Sequence, residues 1–256
     1  MNNKHIALWS CPRSRSTALS RAFEQREDCI IYDEPLWAPY LVNKGQYDYH
    51  PPLNLEEILK YTPQTDYQQI IQKITGELPA GISFSFQKNI SKYMIPEFDR
   101  SWLKLVNNFF IIREPKAIIS SYWRANDCKF VPTMEQIGLE SHYNLFKEIE
   151  ALIGKAPLVI NTDDLVKHPQ AYLKLVCNKL EIPFSDTMLS WEANPKETRL
   201  TWTKDTPGSK WYADALGSSG FTYKERKIDL PSEFTPLIEA CLSYHDKLLK
   251  YCVTVD

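Results

Sequence analysis

Short apolar runs alternate with amphipathic segments along this chain, and this order constrains the fold more than any other feature. Runs rich in β-branched and aromatic residues predict strands, and apolar residues at helical spacing predict helices between them. The predicted strands are His5–Ser10, Cys29–Tyr32, Gly81–Phe86, Asn108–Ile112 and Leu158–Asn161. Strands that alternate with helices imply an α/β fold with a mostly parallel central sheet and helices on both faces.

Apolar residues at helical spacing predict helices between and after these strands. The predicted helices are Ser16–Glu27, Leu55–Tyr61, Tyr67–Leu78, Trp102–Val106, Lys116–Arg124, Thr133–Ile153, Pro169–Leu180 and Ser232–Tyr251. The stretch 191–226 lacks clear periodicity, and so long an irregular stretch in a compact domain is usually a lid or binding loop. We therefore expect one α/β domain over residues 1–256, with a lid or substrate loop at 191–226.

The charge balance and the cysteine and histidine patterns exclude several classes of protein. Thirty Lys and Arg against 32 Asp and Glu give a net charge of -2. Proteins that coat nucleic acid normally carry a large excess of basic residues, which this chain lacks. A local anion-binding pocket is still compatible with this net charge. No cysteine pair is spaced Cys-x-x-Cys, and no apolar stretch approaches the ~20 residues of a membrane span. The five histidines form no metal-binding motif. We expect a cytoplasmic protein with no nucleic-acid or membrane partner and no metal.

The first strand-to-helix turn carries the strongest indication of function. It has the sequence Ser10-Cys11-Pro12-Arg13-Ser14-Arg15-Ser16-Thr17, directly before a predicted helix. In an open parallel sheet, ligands bind at the carboxyl ends of the strands, and the free amides of a helix start favour an anion. Guanidinium and hydroxyl donors suit phosphate or sulfate oxygens. The alternative interpretation is that Ser16 or Thr17 merely caps the helix and that both arginines are solvated.

Glycine is scarce, and this narrows the type of phosphate site. Eight glycines in 256 residues are about half of the usual ~7%. Their positions match neither Gly-x-Gly-x-x-Gly nor Gly-x-x-x-x-Gly-Lys-[Ser/Thr]. This argues against the glycine-built loops of Rossmann dehydrogenases and Walker-type NTPases. The best candidate loop, Cys11–Thr17, contains no glycine, so its anion contacts would come from arginine, hydroxyls and a helix terminus.

A second turn of similar composition follows the predicted strand Asn108–Ile112. There Arg113-Glu114-Pro115-Lys116 leads into a helix that contains Ser121. A surface arginine and an ordinary helical serine are the alternative interpretation of this pair. Two strand-end arginine sites in one sheet would fit a ligand with two separated anionic groups.

These segments resemble the motifs of sulfotransferases that use 3′-phosphoadenosine 5′-phosphosulfate (PAPS). Cys11–Thr17 is similar to the 5′-phosphosulfate loop, P-[KR]-S-G-[ST]-[ST], and Arg113–Ser121 resembles the 3′-phosphate motif. Asn161–Leu165 with Pro169 is similar to the family's later Y-E-D-L…P stretch. The resemblance is closest to small bacterial and plant-type members with W-S-x-P-R-S-x-S-T and D-E-P. It implies a P-loop NTPase-like α/β fold, PAPS as co-substrate, 3′,5′-bisphosphoadenosine (PAP) as product, and no metal.

The resemblance assigns roles in the first turn. Arg13 would contact the 5′-phosphate and the bridging oxygen, and Ser14, Ser16 and Thr17 would complete the cradle. Arg15 stands where the family usually has glycine. Either the backbone there avoids positive φ, or Arg15 itself contacts the sulfonate or the acceptor.

The resemblance also implies a second set of nucleotide contacts further along the chain. Arg113 and Ser121 would hold the 3′-phosphate. Lys210 and Trp211 lie in a segment similar to the late loop that closes over the nucleotide. A solvated lysine is the alternative at position 210.

Glu34 is the candidate catalytic base. It lies in Asp33-Glu34-Pro35, directly after the second predicted strand, where several family members place a catalytic glutamate. The alternative is a carboxylate that pairs with Arg13 or Arg15. The family's other common base, a histidine shortly after a lysine, is absent from 87–93. This leaves Lys88 either as a sulfonate ligand or as an ordinary solvent-facing lysine.

The resemblance implies a small-molecule acceptor that carries a hydroxyl or an amine. Two sets of aromatic side chains are suited to line its pocket, with core packing as the alternative. They are Trp37, Tyr40, Tyr47 and Tyr49 after Glu34, and the aromatic residues from Trp202 to Tyr223. A P-loop-like kinase for small molecules or nucleotides would share the topology, but Gly-Lys-[Ser/Thr] and a Mg²⁺-binding aspartate after an apolar strand are not apparent. A non-catalytic anion- or nucleotide-binding module is the third interpretation. The sequence does not indicate an oligomeric state.

Overall fold

The computed structural model describes residues 4–43, 49, 53–202, 206–223 and 228–255. Its centre is a five-stranded parallel sheet in the order β2-β3-β1-β4-β5. The strands are β1 (Lys4–Ser10), β2 (Cys29–Asp33), β3 (Phe84–Ile90), β4 (Asn107–Ile112) and β5 (Leu158–Asn161). The expected α/β class with a parallel central sheet is confirmed.

Helices surround the sheet, and most of them connect one strand with the next. They are α1 (Ser16–Glu24), α2 (Trp37–Asn43), α3 (Leu55–Leu59), α4 (Tyr67–Thr75), α5 (Pro115–Ala125), α6 (Met134–Ile137), α7 (Leu139–Ile153), α8 (Thr162–Leu165), α9 (Pro169–Lys179), α10 (Ser209–Leu216) and α11 (Thr235–Leu249). In the described parts of the chain, no helix combines the length and the apolar character that a membrane crossing requires.

The central strand β1 explains why the cleft forms where it does. Residues 6–9 of β1 are fully buried, as expected for a parallel strand covered on both faces. From β1 the chain first runs past β3 to β2, and after β3 it crosses to β4 on the other side of β1. Such a reversal of winding opens a crevice at the carboxyl ends of the strands, where ligands bind in open α/β sheets.

The strand predicted at Gly81–Phe86 lies later in the chain, as β3. The strand lies at Phe84–Ile90, because it pairs on one side with β1 and on the other with β2. Its polar residues Gln87, Lys88 and Asn89 do not resemble a strand in the sequence, yet all are buried. The shift matters for function, because it places Lys88 opposite Asp33 of β2.

The predictions for two other regions also need correction. The single helix predicted over Thr133–Ile153 is two helices, α6 and α7, which are separated at Gly138 with φ of 77°. The stretch 191–226, predicted to be irregular, contains α10, which buries Tyr212 and Leu216. Two buried residues in eight make too short a pattern to be recognised from sequence.

Candidate active site

A cleft with a volume of about 1280 Å³ opens at the carboxyl ends of the strands. Segments that follow each of the five strands contribute to its walls, together with residues of α10 and the loop after it. Nine of the predicted site residues line it: Arg13, Arg15, Ser16, Thr17, Glu34, Lys88, Arg113, Ser121 and Trp211. Ser14 and Lys210 do not. The structure thus brings most of the predicted site together.

The turn between β1 and α1 presents an uncapped helix start to the cleft. Arg15 is the N-cap of α1 but supplies no side-chain hydrogen bond to it, and no acidic residue stands in the first turn. The amides of Ala18 and Leu19 donate to the Arg15 carbonyl. Both Ser16 and Thr17 line the cleft. The positive end of the α1 dipole therefore faces this space.

The backbone of this turn is left-handed at two arginines. Arg13 has φ of 64° and Arg15 has φ of 69°, a conformation that glycine adopts without strain and other residues do not. Of the two alternatives for Arg15, the one in which its backbone avoids positive φ is therefore wrong. Ser14, between them, is fully buried, and its hydroxyl donates to the Cys11 carbonyl at 2.7 Å. Ser14 therefore stabilises the turn from inside and does not form part of the cleft wall, contrary to the predicted cradle.

Arg13 connects three elements around the cleft. Its Nε donates to Ser121 Oγ of α5 at 3.0 Å. Its other nitrogens reach α10, where Nη1 donates to the Trp211 carbonyl at 2.5 Å and Nη2 lies 3.3 Å from Asp214 Oδ2. Burial lowers the pKa of Arg13, and the Asp214 carboxylate opposes this effect. The two predicted anion subsites, at Arg13 and at Ser121, are thus in direct contact.

Asp163 links the two other arginines of the cleft. Its Oδ1 accepts from Arg15 Nη1 at 2.5 Å and lies 3.7 Å from Arg113 Nε. Its Oδ2 accepts the backbone amide of Glu114 at 2.9 Å. Burial and the nearby Arg15 charge lower the pKa of Arg113 to about 10. One carboxylate between two guanidiniums leaves an excess of positive charge, which favours an anion.

The turn between β4 and α5 differs from the first turn, because its helix is already capped. The Glu114 carboxylate accepts from the amides of Lys116 at 3.0 Å and Ala117 at 2.7 Å. These donors are therefore occupied by the chain itself. The turn contributes side chains instead: Arg113, whose Nη1 donates to the Arg13 carbonyl at 2.7 Å, and Ser121.

Glu34 and Lys88, which also line the cleft, form an ion pair. Lys88 Nζ donates to Glu34 Oε1 at 2.6 Å, and Tyr93 OH donates to Oε2 at 3.2 Å. Glu34 has φ of 51°, and its amide donates to the Lys88 carbonyl at 2.9 Å. Among the described residues, the partner of Glu34 is thus Lys88 and not Arg13 or Arg15, so that alternative is wrong. Lys88 is only 1% exposed, so it is not a solvent-facing lysine either.

Two residues that the sequence analysis did not single out complete this cluster. Asp33 Oδ1 lies 3.4 Å from Lys88 Nζ. The phenol of Tyr212 lies 2.7 Å from Asp33 Oδ1 and 3.1 Å from Glu34 Oε1, and it also accepts from Lys88. Asp33 had a usable signal, because it precedes Glu34 at a strand end. Tyr212 was predicted only as one of the aromatic side chains in the aperiodic stretch that could line the acceptor pocket, and not as a partner of the carboxylates.

Aromatic side chains line the cleft beside this cluster. Trp37 packs edge-on against Trp202, with ring centroids 4.4 Å apart, and its Nε1 donates to Tyr49 OH at 3.1 Å. Trp37, Tyr49 and Trp202 all line the cleft. Tyr40 instead packs on Tyr93 and does not line it. Tyr47 lies outside the described residues.

The predicted late loop is only partly at the cleft. The Trp211 ring lies 5.9 Å from the Arg13 guanidinium carbon. Lys210 does not line the cleft, because its Nζ lies 3.3 Å from Asn126 Oδ1 and it extends over the outer face of Trp211. No group of three or more metal-ligating side chains occurs in the part of the chain that the structure describes.

Residues 4–248 match the family model described as a sulfotransferase domain. The chain belongs to the sulfotransferase family. Two curated proteins of Arabidopsis thaliana, branched-chain-amino-acid aminotransferase-like proteins 2 and 1, are 30% and 28% identical over 244 residues. These matches cover 95% of this chain, which spans about two fifths of the length of these relatives (41%).

Two solved structures share the fold. The sulfotransferase domain from the curacin biosynthetic pathway has a TM-score of 0.52 at 19% identity, covering 94% of this chain and 98% of that one. The sulfotransferase from Alicyclobacillus acidocaldarius has a TM-score of 0.54 at 11% identity, covering 99% and 98%. The sulfotransferase family and its P-loop-like α/β fold, both expected from the motifs, are therefore confirmed.

Proposed function

We propose that this sulfotransferase domain transfers the sulfuryl group of PAPS to a hydroxyl or an amine of a small-molecule acceptor. One observation supports this most: a single cleft contains both anion-binding donors and a candidate base. The donors, which we call the anion end, are the uncapped start of α1 and the guanidiniums of Arg13, Arg15 and Arg113. The ion pair of Glu34 and Lys88 is called the base end.

The residues of the cleft fit an anionic nucleotide. Arg13, Ser16 and Thr17, with the free amides of α1, would hold the 5′-phosphosulfate end. Arg113 and Ser121 would hold the 3′-phosphate. Trp211 offers an aromatic face beside them. An anion at Arg13 would replace the contacts that its guanidinium now makes with α10. We do not assign Ser14 or Lys210 to the nucleotide, because neither side chain lines the cleft.

Sulfuryl transfer requires in-line placement and stabilisation of charge more than covalent catalysis. PAPS would supply the activated sulfuryl group. Glu34 would accept the proton of the acceptor hydroxyl or amine, and the hydrogen bond from the Lys88 ammonium would orient its carboxylate. Arg13 and the α1 terminus would stabilise the charge of the departing bisphosphate. Lys88 also lines the cleft, where its charge would face a sulfonate.

Ligand binding separates this function from the alternatives. PAP should raise the melting temperature of the purified chain, whereas ATP with Mg²⁺ should raise it much less. A larger shift with ATP and Mg²⁺ would instead favour a kinase. Incubation with ³⁵S-labelled PAPS and a panel of phenols, alkanols and amines should transfer the label to at least one acceptor. PAP binding without transfer to any acceptor would favour the non-catalytic module.

Two variants test the assigned roles. Glu34→Gln should lose turnover by about a hundredfold or more, the usual contribution of a general base, but should bind PAP as the wild type does. Arg13→Ala should weaken PAP binding as well. If both variants lose the same PAP affinity in calorimetric titrations, the division into an anion end and a base end is wrong.

A further inference from the structure

Two buried carboxylates share one ammonium at the base end of the cleft. Lys88 Nζ lies 2.6 Å from Glu34 Oε1 and 3.4 Å from Asp33 Oδ1. The side chain of Asp33 is fully buried, and that of Glu34 is 11% exposed. A buried carboxylate that lacks a donor is costly, so Asp33 and Glu34 compete for Lys88.

Tyr212 of α10 stands between these groups. Burial, reinforced by the two carboxylates, raises the pKa of Tyr212 well above its ordinary value, so the phenol keeps its single proton. That proton can serve one acceptor. Asp33 Oδ1 at 2.7 Å is closer than Glu34 Oε1 at 3.1 Å, and the phenol oxygen accepts from Lys88. The other Asp33 oxygen accepts the Thr201 amide at 3.0 Å.

We propose that Tyr212 is a positioning residue: by donating to Asp33 it satisfies the second carboxylate and leaves the Lys88 ammonium on Glu34. This inference rests on the proposed function, in which Glu34 is the base. Tyr212 acts through the carboxylates and the ammonium and not on the reacting atoms. Without its proton donor, Asp33 would draw Lys88 away from Glu34.

The surroundings of Glu34 determine what such a displacement would do. Among the described residues, the titratable groups that face it are Asp33 from β2, Lys88 from β3, Tyr93 from the short helix that follows β3, Tyr212 from α10, and Tyr49. Lys92 lies one layer further out, over the Tyr49 ring. Lys88 is the cation in hydrogen-bond contact with Glu34. Its departure would therefore leave the Glu34 carboxylate without the cation that holds it in place.

Crystal structures of three proteins test the positioning directly. In Tyr212→Phe, which keeps the ring over Lys88, the distance from Lys88 Nζ to Glu34 Oε1 should exceed the hydrogen-bond limit of about 3.5 Å. In the double variant Asp33→Asn/Tyr212→Phe the competing charge is gone, and the distance should return to that of the wild type. If Lys88 stays on Glu34 in Tyr212→Phe, the proposal is overturned.

Kinetics give a second readout, with ³⁵S-labelled PAPS and the fastest acceptor of the panel. In Tyr212→Phe, kcat should fall by about tenfold or more, because the base is no longer held by its ammonium, while KM for PAPS stays unchanged. The double variant should recover most of this loss. Tyr244→Phe, which removes a surface phenol bonded to Glu140, is the matched control and should change neither value.

The outcomes separate the two proposals. A loss of kcat in Tyr212→Phe that is not rescued by Asp33→Asn would mean a merely structural role, and the positioning proposal fails. If the wild type transfers no label from PAPS, the proposed function fails instead. In that case the distances between Lys88 and Glu34 in the three crystal structures still decide what Tyr212 does.

Discussion

The two strand-to-helix turns that carry arginine look alike in sequence but differ in structure. After β1, helix α1 begins without a side-chain cap, and the two arginines before it are left-handed. After β4, helix α5 begins with the Glu114 carboxylate on its own amides. A helix terminus serves an anion only if the chain leaves its donors free. The first turn can therefore bind with its backbone, whereas the second can contribute only side chains.

The largest expected effect is on PAP affinity, and it compares a substitution in the turn after β1 with one in the turn after β4. Arg13→Ala removes a guanidinium at the open turn and should weaken PAP binding about a hundredfold, in line with the loss of charge-assisted hydrogen bonds. Lys116→Ala removes an exposed cation at the capped turn and should leave the affinity unchanged. Isothermal titration calorimetry measures both. Similar losses in the two variants would mean that general charge, and not the open turn, attracts the nucleotide.

Acid should lower the free energy of unfolding through His142 of α7, which contacts β4. This side chain is fully buried, with Nε2 3.1 Å from the Ile111 carbonyl of β4 and Nδ1 2.6 Å from Ser91 Oγ, and burial lowers its pKa to about 3. Unfolded histidine takes up a proton near pH 6.5, whereas the folded side chain does so only near pH 3. Stability is therefore lost as the pH falls from 6.5 towards 3, by about 2 kcal/mol at pH 5.

Denaturant titrations from pH 7.5 to 4 measure this effect, with His142→Gln as the reference. The variant cannot take up the proton, so its stability should depend less on pH than that of the wild type. The side-chain contact at the end of β1, from Ser10 Oγ to the Asn89 carbonyl at 3.0 Å, contains no titratable group. The turn after β1 should therefore add no such pH dependence through this contact. Parallel pH curves for wild type and variant would contradict the assignment to His142.

The left-handed backbone at Arg15 can be tested with a pair of variants that both lack the ion pair to Asp163. Arg15→Gly should be more stable than Arg15→Ala by about 1 kcal/mol, because only glycine adopts φ of 69° without strain. At Lys116, in the first turn of α5, the same pair should give the opposite order, since glycine is the poorer helix residue. Equal stability of the two Arg15 variants would show that the turn does not hold this φ in solution.

The cap on α5 should have the smallest effect. Glu114→Ala removes the acceptor of two amides and should cost about 1 kcal/mol, or a fall in melting temperature of about 2–4 °C. Glu114→Gln keeps a side-chain oxygen and should lose less. PAP affinity should stay close to the wild type in both. A loss of affinity as large as that of Arg13→Ala would mean that the two turns are equivalent after all.

The strand predictions show how much of the fold is determined by local sequence patterns. The predictions for β1, β2, β4 and β5 match the structure to within one residue at each end, because these strands are apolar and bounded by turn residues. The prediction for β3 failed because its second half is polar. That half is a strand because it has a hydrogen-bonded neighbour on both sides. No local pattern records the presence of a neighbour that is distant in sequence.

In the candidate site too, local patterns predict some residues, whereas others are placed only by tertiary packing. Arg13, Arg113 and Glu34 were found because each follows a strand end closely, and Ser121 was found by its spacing from Arg113. Asp163, Asp214 and Tyr212 were missed as partners. Asp214 and Tyr212 belong to α10, about 200 residues from Arg13 along the chain and in hydrogen-bond contact with the cluster. Only the packing of α10 over the sheet brings them there.

From the order of its residues alone, this chain specifies a parallel α/β sheet, a candidate anion-binding loop without glycine and a carboxylate after its second strand. These are local properties, set by periodicity, by turn chemistry and by the residue that follows each strand. Which helix start stays open, and which carboxylate holds Lys88, is decided only in the folded chain. Both depend on competition among donors and acceptors far apart in sequence, and burial makes every unmatched group costly.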